Sequence, residues 1–123
     1  MKNTIFDVID NLRTTLLPTG INIYKDIKPA AETGKCIILT YVPIKKNNVS
    51  SINDVIVLLY LPKISGLSDR SSIKTYCLQI SLLLKSFVAT NGVIFFNENS
   101  EPVTDNTETN YTVTTYKFRT INS

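Results

Sequence analysis

The sequence predicts an α+β fold: a mostly antiparallel sheet of about five strands with two helices packed on one face. Three observations carry this expectation. Two segments place apolar residues at helical spacing, about five others are β-branched or alternate apolar with polar, and the elements run in the order αβββαββ. Strict strand–helix alternation, the mark of a doubly wound parallel sheet, is missing. At 123 residues, with no repeat period and no linker-like stretch, one domain spanning 1–123 is expected.

Each element follows from its own residues. Thr4 followed by Asp7 forms a variant capping box, and beyond it Ile5, Ile9, Leu12 and Leu16 recur on one helical face. "LPTG" ends that helix with Pro18 and Gly20. "INIYKDI" alternates Ile21, Ile23 and Ile27 against Asn22, Asp26 and Lys28, as a half-buried strand does. "CIILTYVPI" reads as a second strand, with Pro43 marking an edge or an end. After the polar loop "KKNNVSSIN", "DVIVLLYLP" is apolar without a break, which predicts a strand buried on both faces.

A polar break, "SGLSDRSS", leads into a helix over about 72–87. Ile73, Cys77, Ile80, Leu84 and Phe87 form its stripe, widened by Tyr76, Leu82 and Leu83. "VIFFNE" is expected as the fourth strand, "NSEPVTDNTET" as an acidic loop and "NYTVTTYKFRTI" as the last strand. The alternation of that last strand is inconsistent. Tyr111 and Val113 point one way, Tyr116 and Phe118 the other, so either a bulge lies near Thr114 and Thr115 or both faces are covered.

Composition excludes several classes. Hydrophobic residues at 43% against 19% charged argue for a folded core, not disorder. Thirteen Lys and Arg against ten Asp and Glu give only +3, too mild for a dedicated polyanion binder. Asp7 and Asp10 interrupt the only stretch that resembles a signal peptide. The longest apolar run, Val55 to Pro62, is far short of the ~20 residues of a spanning helix. A soluble intracellular protein without a membrane anchor is the expectation.

The chemical inventory is sparse. With no histidine, Ser-His-Asp and Cys-His nucleophile systems and His-ligated zinc sites cannot be built. Cys36 and Cys77 are far apart and belong to no CxxC pattern, so they read as small buried hydrophobes. The four glycines are isolated in turns, which removes phosphate-cradling loops. The acidic loop lacks the alternating carboxylates of a calcium loop. No cofactor, no metal and no enzymatic activity are therefore expected.

Two further features point to contacts. "YKFR" at 116–119 interleaves aromatics and cations, as nucleic-acid platforms do. Strand alternation nevertheless puts Tyr116 and Phe118 together on one face, the pattern of a strand with its aromatics in the core. A small nucleic-acid-binding regulator is the alternative reading that this segment keeps open. The second feature is charge. Five lysines lie between Lys25 and Lys46, while 98–108 is purely acidic. Setting one copy's basic loop against a neighbour's acidic loop favours head-to-tail contact and closed rings. Lys45 and Lys46 on one side, and Glu101 and Asp105 on the other, are the interface candidates.

Taken in order, the chain offers a short amphipathic helix, "LPTGINIY", three strands ending in "DVIVLLYLP", the helical "SDRSSIKTYCLQISLLLKSF" after a polar break, and two terminal strands. Over nearly its whole length this succession resembles the small tail-terminator and head–tail joining proteins of tailed bacteriophages. The resemblance implies a virion structural protein of the neck or tail, assembled in the bacterial host cytoplasm. It would form a ring of copies of itself, most simply a hexamer, on the end of the tail tube. Its partners would be the tail tube protein and the head connector proteins, with no membrane and no specific nucleic acid. That family has no invariant motif that could be carried over residue by residue.

Overall fold

A computed structural model describes residues 4–46, 51–67, 69–91, 103–105 and 110–122. Helix α1 (Ile5–Leu16) starts at Thr4, whose hydroxyl accepts from the Asp7 N–H while the Asp7 carboxylate accepts from the Thr4 N–H. Both ends of the reciprocal cap are thus satisfied. A single 3-10 turn over Leu17–Thr19 follows, and Gly20 at φ +72° takes the left-handed position that turns the chain into strand β1 (Asn22–Lys25). Asp26, also left-handed at φ +68°, ends β1 there. Ile27, expected within that strand, is exposed instead.

Strands β2 (Cys36–Lys46) and β3 (Ser51–Pro62) form a long antiparallel pair. Both run further than the sequence pattern suggests. The ladder continues past Pro43 with a bulge between Pro43 and Lys45, so Lys45, Lys46, Ser51, Ile52 and Asn53 of the expected polar loop pair in it. Helix α2 covers Arg70–Asn91, and Asp69 caps it by accepting from the Ser72 N–H and hydroxyl. Those two hydrogen bonds hold the Asp69 carboxyl below the usual carboxylate range. Strands β4 (Val103–Asp105) and β5 (Tyr111–Asn122) complete a five-stranded sheet of order β1-β2-β3-β5-β4.

The architecture is α+β with two helices and a mixed sheet. The mixture is a correction to the largely antiparallel expectation: β1 pairs in parallel with β2, from Asn22↔Cys36 to Lys25↔Leu39. Asp26 and the 27–35 segment carry the chain back to the starting level of β1, so β2 runs in the same direction. The fourth strand is also corrected in part. "VIFFNE" at 93–98 lies outside the described residues, while β4 forms within the segment expected to be an acidic loop.

Both helices pack on one face of the sheet. Ile5, Ile9, Leu12 and Leu16 of α1 and Ile80, Leu84 and Phe87 of α2 meet Ile37, Leu39, Val55, Val57, Leu59 and Phe118 in a single core. Tyr116 joins them, and its hydroxyl donates to the Cys77 carbonyl of α2 at 3.1 Å. Burial is the chief cause that raises its pKa. Leu82, expected to widen the α2 stripe, points outward and is exposed. Strand β5 keeps an unbroken register with β3 from Tyr111↔Pro62 to Asn122↔Ser51, so no bulge exists there. Its helix-side positions include Thr112, Thr114 and Thr120, all buried.

The other face is treated differently along its length. At one end the 27–35 segment folds over it. The Tyr111 hydroxyl and the Lys28 ammonium both donate to the Glu32 carbonyl, and Tyr60 meets Tyr111 edge-on at 5.6 Å. Cys36 is buried there and its thiol is pushed up to about 11, chiefly by burial. Cys77 sits on α2 beyond the opposite face, so the two thiols cannot pair. Towards the β2–β3 hairpin no helix among the described residues packs over this face, and Ile52, Ile56 and Leu58 are only half-buried. Strand β3, apolar on both sides, has just one side fully covered.

Candidate assembly interface

The five lysines between Lys25 and Lys46 separate into two groups. Lys25 pairs with Asp10, Lys28 donates to the Glu32 carbonyl and lies 4.9 Å from the Tyr111 ring centre, and Lys35 lies 5.5 Å from that of Tyr76. Lys45 and Lys46 differ. They stand exposed at the end of β2, and among the described residues neither has an ion-pair partner. The basic signal in the sequence therefore narrows to the hairpin end.

The acidic half of the expectation is described in part. Glu101 lies outside the described residues. Asp105 is on β4, where its backbone pairs with Val113 of β5. Register fixes its distance from the lysines. Lys45 is opposite Ile52, and Ile52 is opposite Ile121, eight residues along β5 from Val113. At the rise of a strand this is ~26 Å, and three strand spacings between β4 and β2 add ~14 Å across. The lysine end and β4 thus occupy diagonal corners of one sheet, and backbone register does not bring them together.

The hairpin carries one internal ion pair. Arg119 on β5 donates to Asp54 on β3 at 3.0 Å, in register across the ladder. The carboxylate side chain is 10% exposed, so the guanidinium supplies the partner that a nearly buried charge requires. The sequence pattern does not single out this pair, since the two residues are 65 positions apart. The neighbouring "YKFR" segment is resolved by the same register. Tyr116 and Phe118 face the helices at 8% and 0% exposure, so they offer no stacking platform to a base.

Elsewhere an open groove of about 580 Å³ lies between the 28–33 segment and the 62–66 turn. Lys28 and Tyr111 line it, and both are engaged with the Glu32 carbonyl. Among the described residues no three Cys, Asp or Glu side chains converge to hold a metal ion, and no helix is long and apolar enough to cross a membrane. Comparison with known proteins found no matching family model and no matching curated sequence.

Proposed function

We propose that this chain is a structural protein of a tailed bacteriophage virion, a tail terminator or head–tail joining protein of the neck. It acts by assembling into a ring on the end of the tail tube and docking to the head connector, without chemical turnover. The observation that carries the proposal is the diagonal separation of the Lys45–Lys46 hairpin end from the acidic strand bearing Asp105. Such a placement supports a heterologous contact, in which one copy's basic corner meets the next copy's acidic one, and repeated heterologous contacts generate rings when the rotation closes. The succession of elements described for the sequence supports the same family.

Imaging by negative stain with mass photometry, over a range of protein and magnesium concentrations and with purified tail tubes, tests this reading. Closed rings of uniform diameter, free or seated on tubes, are expected. Reversing charge at Glu101 and Asp105 together should impair ring formation while leaving the circular-dichroism spectrum and melting temperature of the monomer unchanged. Normal rings from that double variant would sink the charge-corner contact. Absence of rings from the wild-type chain, both alone and with tubes, would overturn the function itself.

A further inference from the structure

The turn after β3 is stiff, strained and greasy. Ile64 and Leu67 exchange two backbone hydrogen bonds, at 2.8 and 2.9 Å, across Ser65 and Gly66, whose φ angles are +53° and +77°. Two left-handed residues in succession make a tight hairpin turn, and a serine in that region is strained. Directly paired residues put their side chains on the same side. The turn therefore presents two large apolar side chains together, Ile64 at 61% and Leu67 at 72% exposure. Neither joins the core. What the strained turn fixes is an apolar knob on the surface.

A hollow of matching chemistry lies between α1 and the outer edge of β2. Its volume is about 160 Å³, its floor is formed by the buried Ile9 and Leu39, and Phe6 and Tyr41, edge-on at 5.9 Å, stand over it. An apolar cavity of ~150 Å³ holds a benzene ring, so this hollow has room for one Leu or Ile side chain. The polar groups at its rim are already engaged: Thr40 donates to the Asp26 carboxylate at 3.2 Å, and Lys25 pairs with Asp10. An apolar occupant leaves those pairs intact, whereas a polar one must compete with them.

Within one copy the two do not meet. Thr40 is opposite Ile56, and the turn leaves β3 at Pro62, six residues further on and ~20 Å away at the rise of a strand. The knob lies at the β4 end of the sheet, because Asp105 pairs with Val113, and Val113 with Tyr60, two residues before Pro62. The hollow lies on the strand that ends in the lysines, with Tyr41 four residues from Lys45. Knob and hollow thus neighbour the two corners that the proposed ring contact joins. We infer that the Ile64–Leu67 turn of one copy enters the Phe6–Tyr41 hollow of the next, with Leu67 seated in it and Ile64 against the Phe6 ring. The inference rests on the ring assembly proposed above and names the apolar part of its repeating contact. Two side chains cover far less than the ~800 Å² per partner of a stable complex, so the knob acts together with the corner contact and not in its place. Because knob and hollow differ, the contact is head-to-tail.

Two exposed positions test it without touching the core. Leu67→Glu spoils the knob and Phe6→Glu the hollow, and melting curves check that each variant folds. Imaged with tail tubes over a protein titration, each should need about tenfold or more protein than wild type to form rings. Disulfide trapping reads the contact itself, in chains that carry Cys77→Ala so that buried Cys36 is the one native thiol left. Leu67→Cys mixed with Phe6→Cys should give a mixed disulfide dimer under mild oxidation, and neither variant should cross-link with itself. Rings at wild-type concentrations from either Glu variant would give the hollow another occupant and overturn the docking while leaving the ring function standing. Self-linking at the mixed rate, or no mixed disulfide where the wild-type chain does form rings, would overturn it in the same way. A mixed disulfide from a chain whose wild type never rings on tubes would keep the contact and remove the ring function, and neither disulfide nor rings would remove both.

Discussion

Replacing Leu84 by Ala tests the packing of the helices on the sheet, and its size can be worked from the structure. Leu84 is 1% exposed and faces the shared core of α2 and the strands. Truncation removes three carbons that are fully withdrawn from water, a transfer loss of about 2.4 kcal/mol at ~0.8 kcal/mol per carbon. If the core relaxes only partly, a residual cavity of ~50 Å³ costs about 1.2 kcal/mol more. The expected loss is therefore about 3 to 4 kcal/mol, a large part of the ~5 to 15 kcal/mol by which such domains are stable. For a chain of this size that is a fall in Tm of roughly 4 °C per kcal/mol. Leu82→Ala is the internal control. It lies two residues away on the same helix but is 58% exposed, so its change should stay within about 0.5 kcal/mol. Urea denaturation followed by circular dichroism, with the slope checked for constancy, measures both. A loss at Leu84 below about 1 kcal/mol, or equal losses at the two sites, would show that the buried face of α2 is assigned wrongly.

Two other perturbations follow from single residues. Gly20→Ala should lower stability by about 1 kcal/mol through backbone strain alone. The position is left-handed, and a Cβ there would meet nothing within 4 Å. Thermal melts of Gly20→Ala and Gly20→Asn should rank the asparagine variant higher, and equal melts would refute the strain argument. Cys36, protonated and buried, should resist alkylation at neutral pH while half-buried Cys77 reacts first, and mass spectrometry of partly modified protein would read the order. Folding raises the Cys36 pKa from 9.0 to about 11, so the native state holds its proton more tightly. Its contribution to stability is complete below about pH 9 and is lost as pH rises through about 11. Denaturation midpoints that fall equally over that window in wild type and Cys36→Ala would contradict this.

How much the sequence revealed depended on how directly each element's pattern reported its surroundings. Helix α1 was plain because the Thr4–Asp7 cap and the Ile5–Leu16 stripe are local. The β2–β3 pair was also plain, though its length was not, since Pro43 reads as an end when a bulge can carry the ladder past it. The parallel pairing of β1 with β2 was hidden. It depends on where the 27–35 segment delivers the chain, and no side-chain period encodes that. Strand β5 looked irregular because its core face is filled at Thr112, Thr114 and Thr120, which a hydrophobic pattern counts as outward. Tyr111, on the other face, is buried by the Glu32 segment, a contact 79 residues distant. For the candidate interface, charge counting found the lysine-rich stretch. Only the structure could show that Lys25, Lys28 and Lys35 are engaged internally, which leaves the hairpin end to act.

The outer edge of β2 from Thr40 to Lys46 has a bearing on how such a chain avoids the wrong kind of association. Strand β1 stops at Lys25, so beyond Leu39 that edge has no neighbouring strand among the described residues. An open edge is a template for a further strand, and a ladder built that way offers the same template again after every addition. Growth of that kind has no stopping point, unlike a ring, which ends when its last contact closes. Pro43 withholds an N–H from the ladder, the bulge after it breaks the spacing, and Lys45 and Lys46 would repel a second copy aligned on the same edge. In the ring assembly proposed above, these few residues would favour finite growth over fibres.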